Sequence, residues 1–310
     1  MSISSKIAKK IKILKNKQEF YAHMQDGHKY SDKDIQYEKY LFHRRQFRIV
    51  ESPLFLSFER LIDDEKTPFS LECSCKLNDT YIFPGRFNVW YKDKSNFHQN
   101  ILSIISFFRD ISKTGYFKID VPRFKEIIDR IDLVKTSQII VGVDFRETLS
   151  DSRIKLWLIV KNDHEMVSDI LKRYDVERQD FLKESMISDD LLFGFDFYPS
   201  GKIDTKIYPL YTEKDIPVLI GKKIVPNDLR ILRILEQTRS FHISFKTATD
   251  EKIYHLRPKD EMQFISHLKN ESISSLFSQI SVFPYRNKMI ISLSEKEIIV
   301  DRIRSANIYY

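Results

Sequence analysis

Cysteine is nearly missing from this 310-residue chain, with Cys73 and Cys75 the only two. Two residues apart on one strand face, they are badly placed to bridge and too few for a disulfide framework or a zinc site. They read as small apolar core residues. No apolar run approaches the roughly 18 to 20 residues of a membrane-crossing helix. The start of the chain has no hydrophobic stretch of the kind a secretory signal carries, so a cytoplasmic address is expected. Acid is missing from the first seventeen residues, which hold Lys6, Lys9, Lys10, Lys12, Lys15 and Lys17. Those six lysines nearly account for the formal charge of +7, and the remainder is close to balanced. A solvated basic helix explains that segment, with an RNA-binding or membrane-surface arm as the alternative. Long two-sided apolar strands are missing too, which argues against a parallel doubly wound sheet.

Paired strand signals are what the sequence does contain. They fall at about 69 to 77 with 81 to 91, 138 to 146 with 152 to 161, and 191 to 198 with 203 to 211. Weaker pairs follow at 240 to 246 with 252 to 257 and at 287 to 294 with 297 to 310. Between them lie amphipathic helical stretches such as 100 to 111, 122 to 133, 164 to 175, 227 to 236 and 259 to 269. Gly142-Val143-Asp144-Phe145 and Gly194-Phe195-Asp196-Phe197 repeat in the same place within their hairpins. Hairpins make antiparallel neighbours, and ten strands that close on themselves leave no edge. The expected fold is therefore α+β, a ten-stranded antiparallel barrel enclosed by helices in repeated αββα units. Residues 1–47 form a Lys-rich helical part of the same domain, and residues 48–310 form the barrel.

Residues two apart on a strand share a face. Leu71, Cys73 and Cys75 oppose Glu72, Ser74 and Lys76, and Ile154, Leu156 and Leu158 oppose Arg153, Lys155 and Trp157. The amphipathic helices need an apolar partner, so they cover the apolar face and leave the charged face to line a lumen. An open sheet with its polar face in water is the alternative. Large rings among the charges, Trp157, Tyr198 and Tyr208, favour a cavity. Lys206-Ile207-Tyr208 and Lys252-Ile253-Tyr254 repeat the pairing of a cation with a ring on one face.

With these segments in place, the chain resembles the cyanobactin peptide prenyltransferases, the LynF/TruF/PatF family. The matching stretches are SLECSCK at 70–76, Gly85-Arg86-Phe87, VGVDFR at 141–146 running to Lys155, GFDFY at 194–198 with Gly201-Lys202, Ile207-Tyr208, and the terminal NIYY at 307–310. The resemblance covers about residue 50 onward. It implies the αββα (ABBA) prenyltransferase barrel and transfer of an isoprenyl group from an allylic diphosphate to a ribosomally made, often macrocyclic peptide, usually with magnesium. Arg153-x-Lys155-x-Trp157, Lys206-x-Tyr208 and Lys252-x-Tyr254 are similar to the diphosphate strands of the more distant indole prenyltransferases. A lysine at 206 and a tryptophan at 157 depart from many relatives.

That chemistry assigns roles. Arg86, Lys155 and Lys206, then Arg153, Lys76 and Lys252, would hold the leaving diphosphate. Rings of Trp157, Tyr208, Tyr198 and Tyr254 would screen the allylic cation. The resemblance makes Glu72 the acidic residue that holds the acceptor and takes its proton. An ion pair between Glu72 and Lys76 is the competing reading. Ser244 or Phe245 would limit donor length, from dimethylallyl to geranyl or longer. His242 and His255 read as wall residues. The pairs Asp63-Asp64 and Asp189-Asp190 lack the third aspartate of helical isoprenyl synthases, so magnesium is expected on the diphosphate and no metal ligand is assigned. A monomer is expected, with a diphosphate donor and a cyclic or linear peptide as partners. A small-molecule aromatic prenyltransferase and a nucleic-acid-binding module remain the alternatives.

Overall fold

A computed structural model describes residues 32–50, 52–79, 81–146, 148–161, 164–173, 187–246, 251–283 and 286–310. The Lys-rich start therefore lies outside the described residues. The chain divides into two units, Met1–Ile35 and Gln36–Tyr310, and the second carries the sheet.

Ten strands occur in that unit: β1 Ser70–Asn78, β2 Tyr81–Tyr91, β3 Thr136–Asp144, β4 Arg153–Lys161, β5 Asp190–Phe197, β6 Ile203–Thr212, β7 Thr238–Lys246, β8 Glu251–Pro258, β9 Ile290–Ser294 and β10 Ser305–Tyr309. Each pairs with its sequence neighbours, and β10 returns to β1, so the antiparallel sheet is a closed barrel. Around it lie α1 Asp32–Gln46, α2 Pro53–Asp64, α3 Phe97–Lys113, α4 Val121–Asp129, α5 His164–Arg173, α6 Ile216–Gly221, α7 Leu229–Glu236, α8 Glu261–His267, α9 Glu271–Ser281 and α10 Glu295–Ile299. Caps start several of them as local chemistry dictates. The side chains of Ser52, Asp228, Asp260 and Asn270 accept from the first-turn amides of α2, α7, α8 and α9.

Alternation decides what faces where. Leu71, Cys73, Cys75, Val141, Val143, Ile154, Leu156, Phe193 and Phe195 are all buried in one apolar core with helix residues such as Phe58, Ile104 and Phe108. The cysteines are free and buried, as small apolar residues should be. The fifth hairpin departs from expectation at 297–304, since Glu295–Ile299 is helical. Ser294 precedes it, Glu295 and Glu297 sit in its first turn, and Ile298 is buried, so a helix-favouring start outweighs the β-branched run.

Barrel closure also accounts for a backbone edge. β10 pairs with β1 only from Ser74 onward, while Cys73 exchanges two 2.9 Å bonds with Tyr310. Leu71 lies beyond that reach. Its N–H donates to Gln36 Oε1 at 2.7 Å, and its carbonyl accepts from Lys39 Nζ at 2.7 Å and Asn287 Nδ2 at 3.0 Å. Side chains from α1 and from the segment before β9 thus satisfy the groups a tenth strand does not reach.

Candidate active site

The polar strand faces meet inside the barrel and bound two joined volumes. The outer holds about 1140 Å³ of open space, partly continuous with solvent, and the inner about 610 Å³. Lys155, Trp157, Tyr208, His255 and Tyr309 border both.

The outer chamber is built on the repeated Gly-x-Asp. Register pairs Asp144 with Arg153, Gly142 with Lys155, Lys155 with Asp196, and Gly194 with both Trp157 and Lys206. Both aspartates are fully buried. Asp144 Oδ2 is 3.3 Å from Arg86 Nε, 2.9 Å from Arg153 Nη2 and 3.8 Å from Lys155 Nζ, and Oδ1 is 2.7 Å from Arg146 Nε. Asp196 Oδ2 accepts from Lys206 Nζ and lies 3.3 Å from Arg153 Nη1. Burial pushes both carboxyls up, yet the surrounding cations, Arg86 first at Asp144 and Lys206 first at Asp196, hold them below the usual carboxylate range. Burial and then Arg86 act the other way on Lys155, lowering it to about 7 against the pull of Asp144.

Arg86 is fixed further by Asn307 Oδ1 at 2.7 Å and Tyr309 hydroxyl at 3.2 Å, and its guanidinium sits 5.3 Å from the Tyr309 ring centre. Among the described residues, Lys76, Arg86, Arg146, Arg153, Lys155 and Lys206 face the carboxylates of Asp144, Asp196 and Glu251. Three positive charges are left over, so the chamber is suited to a polyanion.

Glycine makes room for the rings below. A Cβ at Gly194 would stand 2.6 Å from Trp157 Cγ, so the indole lies flat on that backbone. Its other side stacks on Tyr208, with centroids 5.0 Å apart and planes at 24°. At Gly142 the same space is taken by Asn88, whose Nδ2 donates to Glu72 Oε1 at 2.6 Å. Glu72 borders the inner chamber, and burial raises its pKa against the lowering effect of Asn88 and nearby cations. No ion pair of Glu72 with Lys76 forms, because Lys76 borders the outer chamber and Glu72 the inner.

The remaining expectations divide. Ser244 borders the outer chamber, with Oγ 2.9 Å from His255 Nε2, and His255 Nδ1 is 2.7 Å from Ser292 Oγ. The Phe245 side chain lies outside the described residues. Tyr198 follows β5 and meets Arg153 Nη1 through its hydroxyl at 3.4 Å, bordering neither chamber. Lys252 and Tyr254 are a correction. They point outward, Lys252 Nζ donating to Ile224 O at 2.7 Å and Tyr254 hydroxyl to Glu295 Oε2 at 2.7 Å. On β8 the lumen face is Glu251, Ile253, His255 and Arg257, one residue out of step with the triplet. His242, 3.1 Å from Tyr208 O, and His255 are both lowered by burial to about 3, hence neutral. Asp144, Asp196, Arg146, Asn88, Tyr309 and Arg257 also belong to the site, with no role assigned to them from the sequence. The Gly-x-Asp repeat signalled the two aspartates, and nothing local signalled Arg257.

Among the described residues, no group of three His, Cys, Asp or Glu side chains could hold a metal ion, and no helix is long and apolar enough to cross a membrane.

Comparison with solved structures finds the same barrel in NotF prenyltransferase at 13% identity and a TM-score of 0.57, over 93% of this chain and 97% of that one. NotF in complex with brevianamide F and DMSPP gives 15% identity and 0.58 over the same shares. No curated protein matches the sequence. A family of unknown function (DUF5838) matches residues 36–310, nearly the whole chain, and the protein belongs to that family.

Proposed function

We propose that this barrel transfers an isoprenyl group from an allylic diphosphate to a small nucleophilic acceptor. The observation that carries the reading is the vertical order of the lumen. A cage with three surplus positive charges opens onto a shelf of Trp157, Tyr208 and Tyr309, and a buried carboxyl, Glu72, stands on the far side. Breaking the allylic carbon–oxygen bond leaves a diphosphate and a delocalised cation. Arg86, Lys155, Lys206 and Arg153 would stabilise the first, and the rings would screen the second from water, each contact contributing on the order of 0.5–2 kcal/mol. Glu72 would accept the proton the acceptor loses as the new bond forms. The barrel likeness to NotF supports this reading, since NotF is solved with DMSPP and brevianamide F.

Magnesium would travel on the donor. Asp144 and Asp196 are already enclosed by Arg and Lys side chains and offer it no vacant ligand set. A second reading, a peptide side chain entering the inner chamber, is favoured by the motif matches of the first three hairpins to the cyanobactin enzymes.

Dimethylallyl and geranyl diphosphate are to be incubated with small aromatic acceptors and with linear and cyclic peptides, and the products weighed. Gain of one isoprenyl mass by the small acceptors is expected. Gain by peptides alone would move the assignment to the second reading. No gain on any acceptor and no binding of either diphosphate would remove the function.

A further inference from the structure

Arg257 stands at the end of the lumen farthest from the cation cage, near the close of β8, and it borders the inner chamber. The lining of that chamber also includes Trp90, Ile140, Leu192 and Ile290, and His242 on the neighbouring strand β7. Every other lumen arginine is tied down: Arg86, Arg146 and Arg153 each hold Asp144. Arg257 alone among these has no hydrogen-bond or ion-pair partner among the described residues. A guanidinium carries five donors in a planar fork, and leaving them unmet in a half-buried apolar place is costly. Glu72 is the one acid whose charge reaches it, and the two are not in contact.

Glu72 and Arg257, not in contact across a chamber lined mainly by rings and aliphatic side chains, with Lys155 at its boundary with the cage, suit a bifunctional guest. One end would meet Glu72 as a proton donor, and the other would meet Arg257 as an anion with two oxygens in a plane. We infer that Arg257 is the acceptor's carboxylate-binding residue, so that the enzyme prefers acceptors bearing a free carboxylate, whether an aromatic amino acid or the end of a short linear peptide. Naming the guest an acceptor rests on the transfer reading above, while the carboxylate site itself does not.

Binding is measurable without turnover. Trp90 and Trp157 are the only tryptophans of the chain and both line this chamber, so their fluorescence reports its occupancy. The probes are 4-hydroxyphenylpropionate and a dipeptide ending in tyrosine, each against its carboxamide twin. The acid is expected to bind about tenfold more tightly than the amide, the size of one charge-assisted contact. Arg257→Gln should bring that ratio to about one, and Arg257→Lys should keep part of it. Dimethylallyl diphosphate binding by each variant shows whether the barrel is still folded. A preference in one probe pair alone identifies which source the site takes. Equal binding of acid and amide by the native protein, or a preference that survives Arg257→Gln, overturns the inference. An Arg257-dependent preference without isoprenyl transfer to any acceptor would keep the site and remove the proposed function.

Discussion

The outer chamber gathers six basic side chains and holds five of them in place with two buried carboxylates. The inner has rings and aliphatic walls, with Glu72 and Arg257 apart across them. Like charges cannot be stored close together without counter-charge, so the cation cage exists before any ligand because Asp144 and Asp196 are inside it. The inner chamber stores less charge, and its Glu72 and Arg257 do not meet. One region is organised by the protein for an anion, and the other waits for its guest to supply partners.

Removing the organiser should do the most damage. Asp144→Asn leaves Arg86, Arg146, Arg153 and Lys155 crowded without their shared carboxylate. A loss of roughly 3–5 kcal/mol in urea unfolding is expected, together with lost diphosphate binding. Unchanged stability would mean the cage does not depend on its aspartates.

On the inner side, Glu72→Gln keeps the shape and the bond from Asn88 but cannot take a proton. Turnover is expected to fall by about 10²–10⁴, with donor affinity nearly kept, as single-turnover and calorimetric measurements would show. Normal turnover would take Glu72 out of the chemistry.

The boundary between chambers is open to a subtler challenge. Gly194→Ala drives a methyl into the Trp157 ring and should cost about 1–3 kcal/mol while unstacking it from Tyr208. Near-ultraviolet circular dichroism and transfer rate would both change, and an unaltered spectrum would show that the indole stays stacked and the strand backbone gives way instead.

Lys155 links the comparison to pH. Its folded pKa, about 7, is below its ordinary value of 10.5, so between those values the unfolded chain binds the extra proton. The contribution of this group to stability therefore rises with pH through that window, and its charge-burial cost is complete below about 7. Diphosphate needs the charged form, so donor affinity should be level below about 7 and fall above it. Lys155→Gln should flatten that fall in a calorimetric titration, and a slope that persists would assign it elsewhere.

The smallest effect is one of selection. Ser244 borders the outer chamber, so Ser244→Phe should favour dimethylallyl over geranyl diphosphate in competition, and no change in that ratio would place the donor's tail on another wall.

Alternation exposed the strand faces, which is why Lys155, Lys206, Trp157 and Tyr208 were legible in the sequence as one face, while the roles of Glu72 and Arg86 were what the family resemblance implied. The same rule misled at β8. Lys252-x-Tyr254 has the right period, but period two specifies only that residues share a face, and the register of Ile253 with Ser244 and Ser294 turns that face outward. Asp144 and Asp196 were visible as a repeat, yet their purpose was not, because each gathers cations from several strands.

The sequence by itself determined ten antiparallel strands, their apolar backs and most of the cation-and-ring ladder, because these follow from local spacing and side-chain polarity. Only the tertiary structure decided that the sheet closes, that two aspartates serve five cations, and that Arg257 faces Glu72 across an apolar gap. Those relations join residues far apart in the chain, and no short-range pattern encodes a distance that exists only after the barrel has shut.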